Sequence, residues 1–297
     1  MTVKSIPFRA PFSWLAASLE ALRRDNGLIF GATVLLLLVA LVPALLNVAS
    51  RKFMQPMSSG TALAILAFLM LVSSVLVSPI IGGYFRVLHA HDHGRPVRAT
   101  DVFALLREPA AAGRLITTAL IFLAIKVALL IAVNFATGGY VIDFFKVVMS
   151  TPPGHHPAFP PVPSGYLLWL VAIVVLGSTF TTAYMLAIAQ AALSTRTPVD
   201  AVGDGFAVAL RNLAVFVVFY LAMCLAGFVF LLVFALLVGL IALLFGLISP
   251  MLAIVVMAPI YLALGLLFYA VMFGFNYYAW RGTLGDDAAA VEQQLTA

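Results

Sequence analysis

The chain has 297 residues, of which 64% are hydrophobic and only 9% are charged. Its mean hydropathy of +1.14 lies far above the soluble range, which excludes a soluble globular fold. A single cysteine, Cys224, excludes an intramolecular disulfide framework and any zinc or redox site that needs two thiolates. The composition therefore predicts a helical protein whose solvent is the lipid bilayer.

Six apolar runs are long enough to cross a bilayer as helices. A hydrocarbon core about 30 Å thick needs roughly 20 helical residues for each crossing. The predicted spans are Leu28 to Val48, Thr61 to Leu88, Leu115 to Phe135, Gly165 to Leu193, Arg211 to about Leu236, and Met251 to Trp280. The predicted fold class is an all-α polytopic bundle of about six transmembrane helices, and residues 1-297 form one integral membrane domain.

The last two of these spans come from a stretch that could cross the membrane either two or three times. Residues 212-280 carry no charged side chain, and at a rise of 1.5 Å per residue they would form about 100 Å of helix. Gly239, Gly246 and the Ser249-Pro250 pair interrupt this stretch near its middle. These interruptions favour two helices joined by a bend.

The distribution of Lys and Arg predicts how the spans are oriented. Of the 16 basic side chains, Arg51, Lys52 and Lys146 fall between spans on one side, and Lys126 lies within a span. All the others fall on the side that carries both termini. Because basic residues are enriched in cytoplasmic loops, we expect both termini in the cytoplasm.

A threefold pattern precedes the first, third and fifth spans. A proline is followed 11 to 13 residues later by an arginine, in the pairs Pro11 and Arg23, Pro96 and Arg107, and Pro198 and Arg211. The apolar residues between them follow a helical period, and in the first copy they are Phe12, Leu15, Leu19 and Leu22. The pattern predicts three units, each an amphipathic helix on the inner leaflet followed by a transmembrane hairpin. The units are residues 11-88, 95-193 and 197-280.

Two features bear on whether these units are true repeats. The second spans of the first two units share a small residue followed by tyrosine, as Gly83-Tyr84 and Ala183-Tyr184. Prolines, arginines and aliphatic residues also collect at the membrane interfaces of proteins without repeats. Repetition is therefore the interpretation that we favour, and it agrees with two crossings after Arg211.

Several short segments together resemble a known group of proteins. They are the lead-in from Trp14 to Arg24, the second-span ending Ser78-Pro79-Ile80-Ile81-Gly82-Gly83-Tyr84, the basic loop with Gly94, and Asp101-Val102-Phe103. This layout resembles a group of uncharacterised bacterial six-span inner-membrane proteins, similar in layout to the membrane domain fused to some glycerophosphodiester phosphodiesterases. The resemblance implies a multi-pass protein of the bacterial inner (cytoplasmic) membrane. It implies no catalytic residues.

Lys126 is the most unusual residue within the predicted spans, because it lies near mid-membrane, where a charge costs a few kcal/mol or more. No Asp or Glu lies within any predicted span, so its candidate partners are polar groups such as Thr117, Asn134 and Thr181, or a bound anion. Three interpretations stay open. The lysine snorkels to water, it binds an anionic or lipid headgroup in a polar cavity, or it titrates in proton coupling.

Three histidines, His89, His91 and His93, follow the second span together with Asp92. Imidazoles and a carboxylate can coordinate zinc, nickel or copper, so the histidines are weak candidates for a metal site. A solvated helix end, whose dipole favours histidine, is the simpler interpretation. The sequence therefore assigns no metal and no cofactor.

Basic residues at the predicted membrane interface indicate contact with lipid. Arg23, Arg24, Arg107 and Arg211 lie just before spans, where they can hold anionic headgroups. This accounts for the positive net charge of +5 without nucleic acid. Membrane lipids are therefore the predicted partners, together with a protein partner or a second copy of the chain.

The sequence contains no recognisable catalytic motif. We therefore expect a non-enzymatic inner-membrane protein that acts as a lipid-associated scaffold or accessory subunit. The main alternative is a small transporter or flippase for an amphipathic or anionic molecule, with Lys126 on its route. An intramembrane enzyme that uses Lys126 or the histidines is a third alternative. A water-accessible cavity that reaches Lys126 would favour transport, and a closed apolar interior would favour the scaffold.

Overall fold

The chain folds as a helical bundle without strands in the part that the structure, a computed structural model, describes. That part comprises residues 5-54, 59-151, 156-161, 165-246 and 249-285. Its helices are α1 (Ala10–Arg24), α2 (Asn26–Met54), α3 (Ser59–Asp92), a 3-10 helix (Ala99–Arg107), α4 (Pro109–Ala136), α5 (Tyr140–Ser150), α6 (Tyr166–Leu193), α7 (Pro198–Arg211), α8 (Leu213–Gly246) and α9 (Pro250–Thr283). The all-α prediction is confirmed.

Six helices are long and apolar enough to cross a membrane, namely α2, α3, α4, α6, α8 and α9, as predicted. The stretch after Arg211 forms two of them. Helix α8 runs past the predicted end at Leu236 and through Gly239 to Gly246, and Pro250 starts α9. Proline suits the first turn of a helix because the N–H that it lacks has no intrahelical partner there.

Three shorter helices, α1, the 3-10 helix and α7, lie at the same end of the spans. Each packs most closely on the second span of a hairpin: the 3-10 helix on α3, α7 on α6, and α1 on α9. We call this the packed end, and the opposite end, where α5 lies, the open end. The order of a short helix and two spans thus occurs three times. Helix α5, which the sequence did not predict, is inserted within the second hairpin.

A glycine allows close backbone approach where each short helix crosses its span. A Cβ on that glycine would come within 1.9, 2.4 and 2.1 Å of the partner helix, in the pairs Gly83 and Val102, Gly205 and Ala183, and Gly274 and Ser18. In the first two pairs the near atom is a backbone carbonyl oxygen, so these crossings require glycine. In the third pair it is the Ser18 hydroxyl oxygen, which a Cβ would displace. The third crossing also carries the pair Gly274-Phe275, which matches Gly83-Tyr84 and Ala183-Tyr184.

The hydrophobic core lies in the half of the bundle next to the packed end. Its largest fully buried side chains are Trp280, Tyr84, Tyr277, Phe85, Phe122, Phe216, Phe219 and Phe275. Buried polar pairs fix the helices within it. The Trp280 indole donates to Gln190 Oε1 at 2.7 Å, and the Tyr84 hydroxyl lies 3.0 Å from the Thr33 hydroxyl. Such pairs favour one helix arrangement because an unpaired buried polar group is costly.

Toward the open end the spans expose much of their apolar surface. In α8, the side chains of Leu225, Phe228 and Leu236 are all more than half exposed. In a bilayer, lipid chains cover such surfaces, since lipid is as apolar as leucine and gives helices no hydrophobic reason to close together. Grooves therefore remain between neighbouring spans in this half.

Two of the predicted interfacial helices differ from expectation. The segment before α4 was predicted to be an amphipathic helix that starts near Pro96. It is a 3-10 helix, which has tighter turns than an α-helix, and it begins at Ala99. In α1, the predicted stripe does not share one environment. Leu22 is buried, Phe12 and Leu19 are exposed, and Trp14 faces the protein. The stripe divides because α1 packs against α9 along its Trp14 side.

Candidate functional site

A cavity of about 700 Å³ lies between α3, α4 and α6 and reaches Val141 of α5. We call it the α3–α4–α6 groove. Its walls are mainly aliphatic and aromatic, and the polar side chains among its described lining residues are Ser73, Ser74, Lys126, Thr181 and Tyr184. Leu130 and Ile173 in its wall are exposed. The groove therefore opens sideways, toward the region that lipid would occupy.

Lys126 is the one charged side chain among the described residues that line the groove. It is exposed to the groove, and no described residue forms a hydrogen bond or an ion pair with it. At a rise of 1.5 Å per residue, about 15 Å of α4 separates Lys126 from the end of the helix at Ala136. That is longer than an extended lysine side chain, so the ammonium group does not reach this end of α4, and Lys126 lines the groove well inside the span.

The structure brings Lys126 together with only one of its predicted partners. Thr181 of α6 lines the same groove. Thr117 does not, because nine residues of α-helix place it on the opposite side of α4 from Lys126. Asn134 caps the start of α5, where its Oδ1 accepts from the Ile142 N–H at 3.0 Å.

The floor of the groove is a cluster of aromatic rings that the sequence analysis missed. The Phe122 ring lies 5.3 Å, between centroids, from the rings of Phe180, Tyr184 and Phe206. Phe206 belongs to α7, so the floor links the groove to a short helix of the packed end. The spacing of Phe180 and Tyr184 on one face of α6 was the available sequence signal.

Beyond this floor, buried polar atoms occur at the start of α4 and in the second half of α3. Ser78 Oγ and Arg114 Nε have no hydrogen-bond partner within the described part of the chain. Ser78 lies one turn from Ser74, which lines the groove, and so shares its face of α3. Arg114 Nη2 makes one long contact, 3.4 Å, with the Ser194 carbonyl oxygen. Polar groups thus continue from the groove toward the packed end.

A separate polar cluster at the packed end ties α3 to α9. Asp92 accepts hydrogen bonds from the hydroxyls of Tyr277, at 3.0 Å, and Tyr278, at 3.3 Å, and it pairs with Arg281. His89 Nδ1 lies 3.3 Å from the Tyr277 hydroxyl. The Asp92 side chain is only 13% exposed. Its carboxylate therefore holds the ends of two spans together, which is a structural task.

The three candidate metal ligands are not arranged around one point. The rings of His89 and His93 pack at 4.2 Å between centroids, and His93 Nδ1 lies 2.7 Å from the His89 carbonyl oxygen. His91 lies between them on another side of α3. No group of three His, Cys, Asp or Glu side chains is placed to hold a metal ion among the described residues.

The predicted interfacial arginines share one location. Arg23, Arg24, Arg107 and Arg211 all lie at the packed end, and all four are exposed. Arg24 pairs with Glu20, one turn earlier in α1. The packed end is therefore a basic surface, whereas the described lining of the groove contains a single cation.

Comparison of the chain with models of protein families, with curated proteins and with solved structures finds no match. The resemblance to the six-span bacterial group therefore stays a prediction. The groove around Lys126 and the basic surface of the packed end are the features from which a function can be argued.

Proposed function

We propose that this protein is a non-enzymatic, lipid-associated membrane protein that binds an anionic amphipath in the α3–α4–α6 groove. The observation that carries the proposal is Lys126, which lines an apolar groove that opens sideways and has no hydrogen-bond or ion-pair partner among the described residues. A charge at this depth is costly. An anionic headgroup beside the ammonium offsets that cost, and the attached acyl chain covers the aliphatic wall.

The chemistry of the groove supports binding rather than catalysis. Its described lining contains no carboxylate, imidazole or thiol that could act as a general base or a nucleophile. Lys126 and the hydroxyls of Thr181 and Tyr184 can all donate hydrogen bonds to an anion. The cavity that reaches Lys126 opens toward the lipid region rather than toward water, so we place the role of a lipid-associated scaffold or accessory subunit ahead of transport.

The basic surface supports an orientation in which the packed end faces the cytoplasm of a bacterium. Single cysteines at Arg95, at the packed end, and at Lys146, in α5, test this in a Cys224→Ala background. We expect an impermeant thiol reagent to label intact cells at position 146 only. Labelling at position 95 and not at 146 would reverse the orientation.

Native mass spectrometry after purification in a mild detergent tests the binding proposal. Lys126→Met should lose a co-purifying anionic lipid and lower the unfolding temperature, because a ligand that binds only the folded state stabilises it. Lys126→Arg, which keeps the charge, should preserve part of both. Lys146→Met is the matched control, since Lys146 pairs with Asp143 outside the groove. An unchanged lipid complement in Lys126→Met would contradict the proposal.

Transport is a second candidate function, and the buried polar atoms beyond the floor favour it. Ser78 Oγ and Arg114 Nε lie between the groove and the packed end, and they have no hydrogen-bond partner among the described residues. Buried unpaired polar atoms are costly, and a headgroup moving past them would offer a partner. The buried ring of Phe122 lies in the floor, on the side of the groove that faces the packed end. In vesicles, Phe122→Ala should speed the transbilayer movement of a fluorescent anionic lipid, and adding Lys126→Met should abolish the gain. Equal rates in all variants and in empty vesicles would exclude transport.

A further inference from the structure

The groove also constrains the charge of the lipid that it binds, an inference that rests on the proposed function. We infer that the α3–α4–α6 groove selects a lipid with a single negative charge, such as a phosphodiester, over both zwitterionic and dianionic lipids. The juxtaposition behind this inference is one ammonium group, Lys126, with neutral hydroxyls in an apolar wall.

Charge balance in a low dielectric excludes a dianionic headgroup. Lys126 neutralises one negative charge, and the described lining of the groove offers no second cation. A second negative charge on the ligand would stay uncompensated away from bulk water, at a penalty of several kcal/mol. In water, a second negative charge on the headgroup would strengthen its binding to a cation. A preference for the singly charged lipid over the doubly charged one would therefore indicate that the site has a low dielectric constant.

The charges of the groove lining also disfavour a zwitterionic headgroup. Its cationic group would need a carboxylate, and the described lining contains no Asp or Glu. A second ammonium near Lys126 would also repel it. A zwitterionic lipid therefore binds only if its cationic group stays outside the groove, which also withdraws its phosphate from Lys126.

Hydroxyl groups complete the recognition of a phosphodiester. The Ser74 hydroxyl is engaged by the Met70 carbonyl oxygen at 2.9 Å. The hydroxyls of Ser73, Thr181 and Tyr184 make no hydrogen bond within the described part of the chain. A hydroxyl can donate to a phosphate oxygen without adding charge. One cation with neutral donors matches a headgroup whose single charge is shared by two oxygens.

The basic surface of the packed end has the opposite preference. Arg23, Arg107 and Arg211 are exposed there and attract polyanionic headgroups more strongly than singly charged ones. Total lipid binding therefore mixes two kinds of site. The component that disappears in Lys126→Met isolates the groove.

Three lipids with identical acyl chains test the inference: phosphatidylmethanol with one negative charge, phosphatidate with a second ionisation near pH 6, and zwitterionic phosphatidylcholine. Their competition is measured by native mass spectrometry on the wild type, Lys126→Met, Lys126→Arg and the control Lys146→Met. In the Lys126-dependent component, we expect roughly tenfold preference for phosphatidylmethanol over the other two lipids at about pH 8. Phosphatidate should approach phosphatidylmethanol at about pH 5, where it carries one charge.

The outcomes separate this inference from the proposed function. If Lys126→Met removes no lipid of any kind while it stays folded by size-exclusion chromatography, the proposed function fails and the inference fails with it. If Lys126 contributes to binding but phosphatidate at about pH 8 equals or exceeds phosphatidylmethanol, only the charge selection is overturned. Restored preference in Lys126→Arg confirms that the charge, rather than the packing of the side chain, selects the lipid.

Discussion

The packed end and the open end of the bundle use the same six spans in different ways. At the packed end, glycines such as Gly83 and Gly205 let backbones touch, and polar pairs such as Trp280 with Gln190 hold the helices in place. At the open end, apolar side chains such as Leu236 face outward, and a groove surrounds Lys126. Helices in lipid associate through close packing and polar contacts. Where these contacts are absent, the spans leave apolar surface exposed.

The largest expected effect tests the backbone contacts of the packed end. Gly83→Ala places a Cβ 1.9 Å from the Val102 carbonyl oxygen, so α3 and the 3-10 helix must move apart. We expect a loss of about 3 kcal/mol in the free energy of unfolding. Gly265→Ala in α9 is the control, because a Cβ there meets nothing within 4 Å. Equal thermal stability of the two variants in detergent would show that the crossing does not depend on glycine.

An effect of intermediate size is expected when Asp is replaced by Asn at the packed end and, for comparison, at the open end. Asp92→Asn breaks the ion pair with Arg281 and weakens two tyrosine hydrogen bonds at a site only 13% exposed, which should cost about 2 kcal/mol. Asp143→Asn removes an exposed pair with Lys146 and should cost less than about 0.5 kcal/mol. Thermal unfolding of both variants measures the difference. A smaller effect at Asp92 than at Asp143 would contradict the assignment of Asp92 as a structural tie.

The smallest expected effect lies on the exposed surface of α8. Leu236 is 76% exposed, so Leu236→Ala removes a side chain that contacts mainly detergent or lipid rather than protein. Its unfolding temperature should equal that of the wild type at every protein concentration. A concentration-dependent loss of stability would instead show that this surface packs against a second copy of the chain.

The number of spans and their approximate positions could be read from the sequence because both depend on local properties. The length of an apolar run is set by the thickness of the hydrocarbon core, and breaks such as Ser249-Pro250 act on the residues beside them. The cost of Lys126 was also visible, since depth in the membrane follows from its position within a span. The neighbours of Lys126 could be predicted only in part: Thr181 lines the same groove, whereas Thr117 lies on the other side of α4.

Tertiary structure alone decided which helix faces meet and what lies between them. Asp92 and Tyr277 are separated by 185 residues, and Gln190 and Trp280 by 90, so no local pattern predicts either pair. The α3–α4–α6 groove likewise depends on where three helices stop touching. The physical reason is that hydrophobicity drives each helix into the bilayer but does not choose its partners. Close backbone approach and buried polar pairs choose them, and both require the assembled bundle.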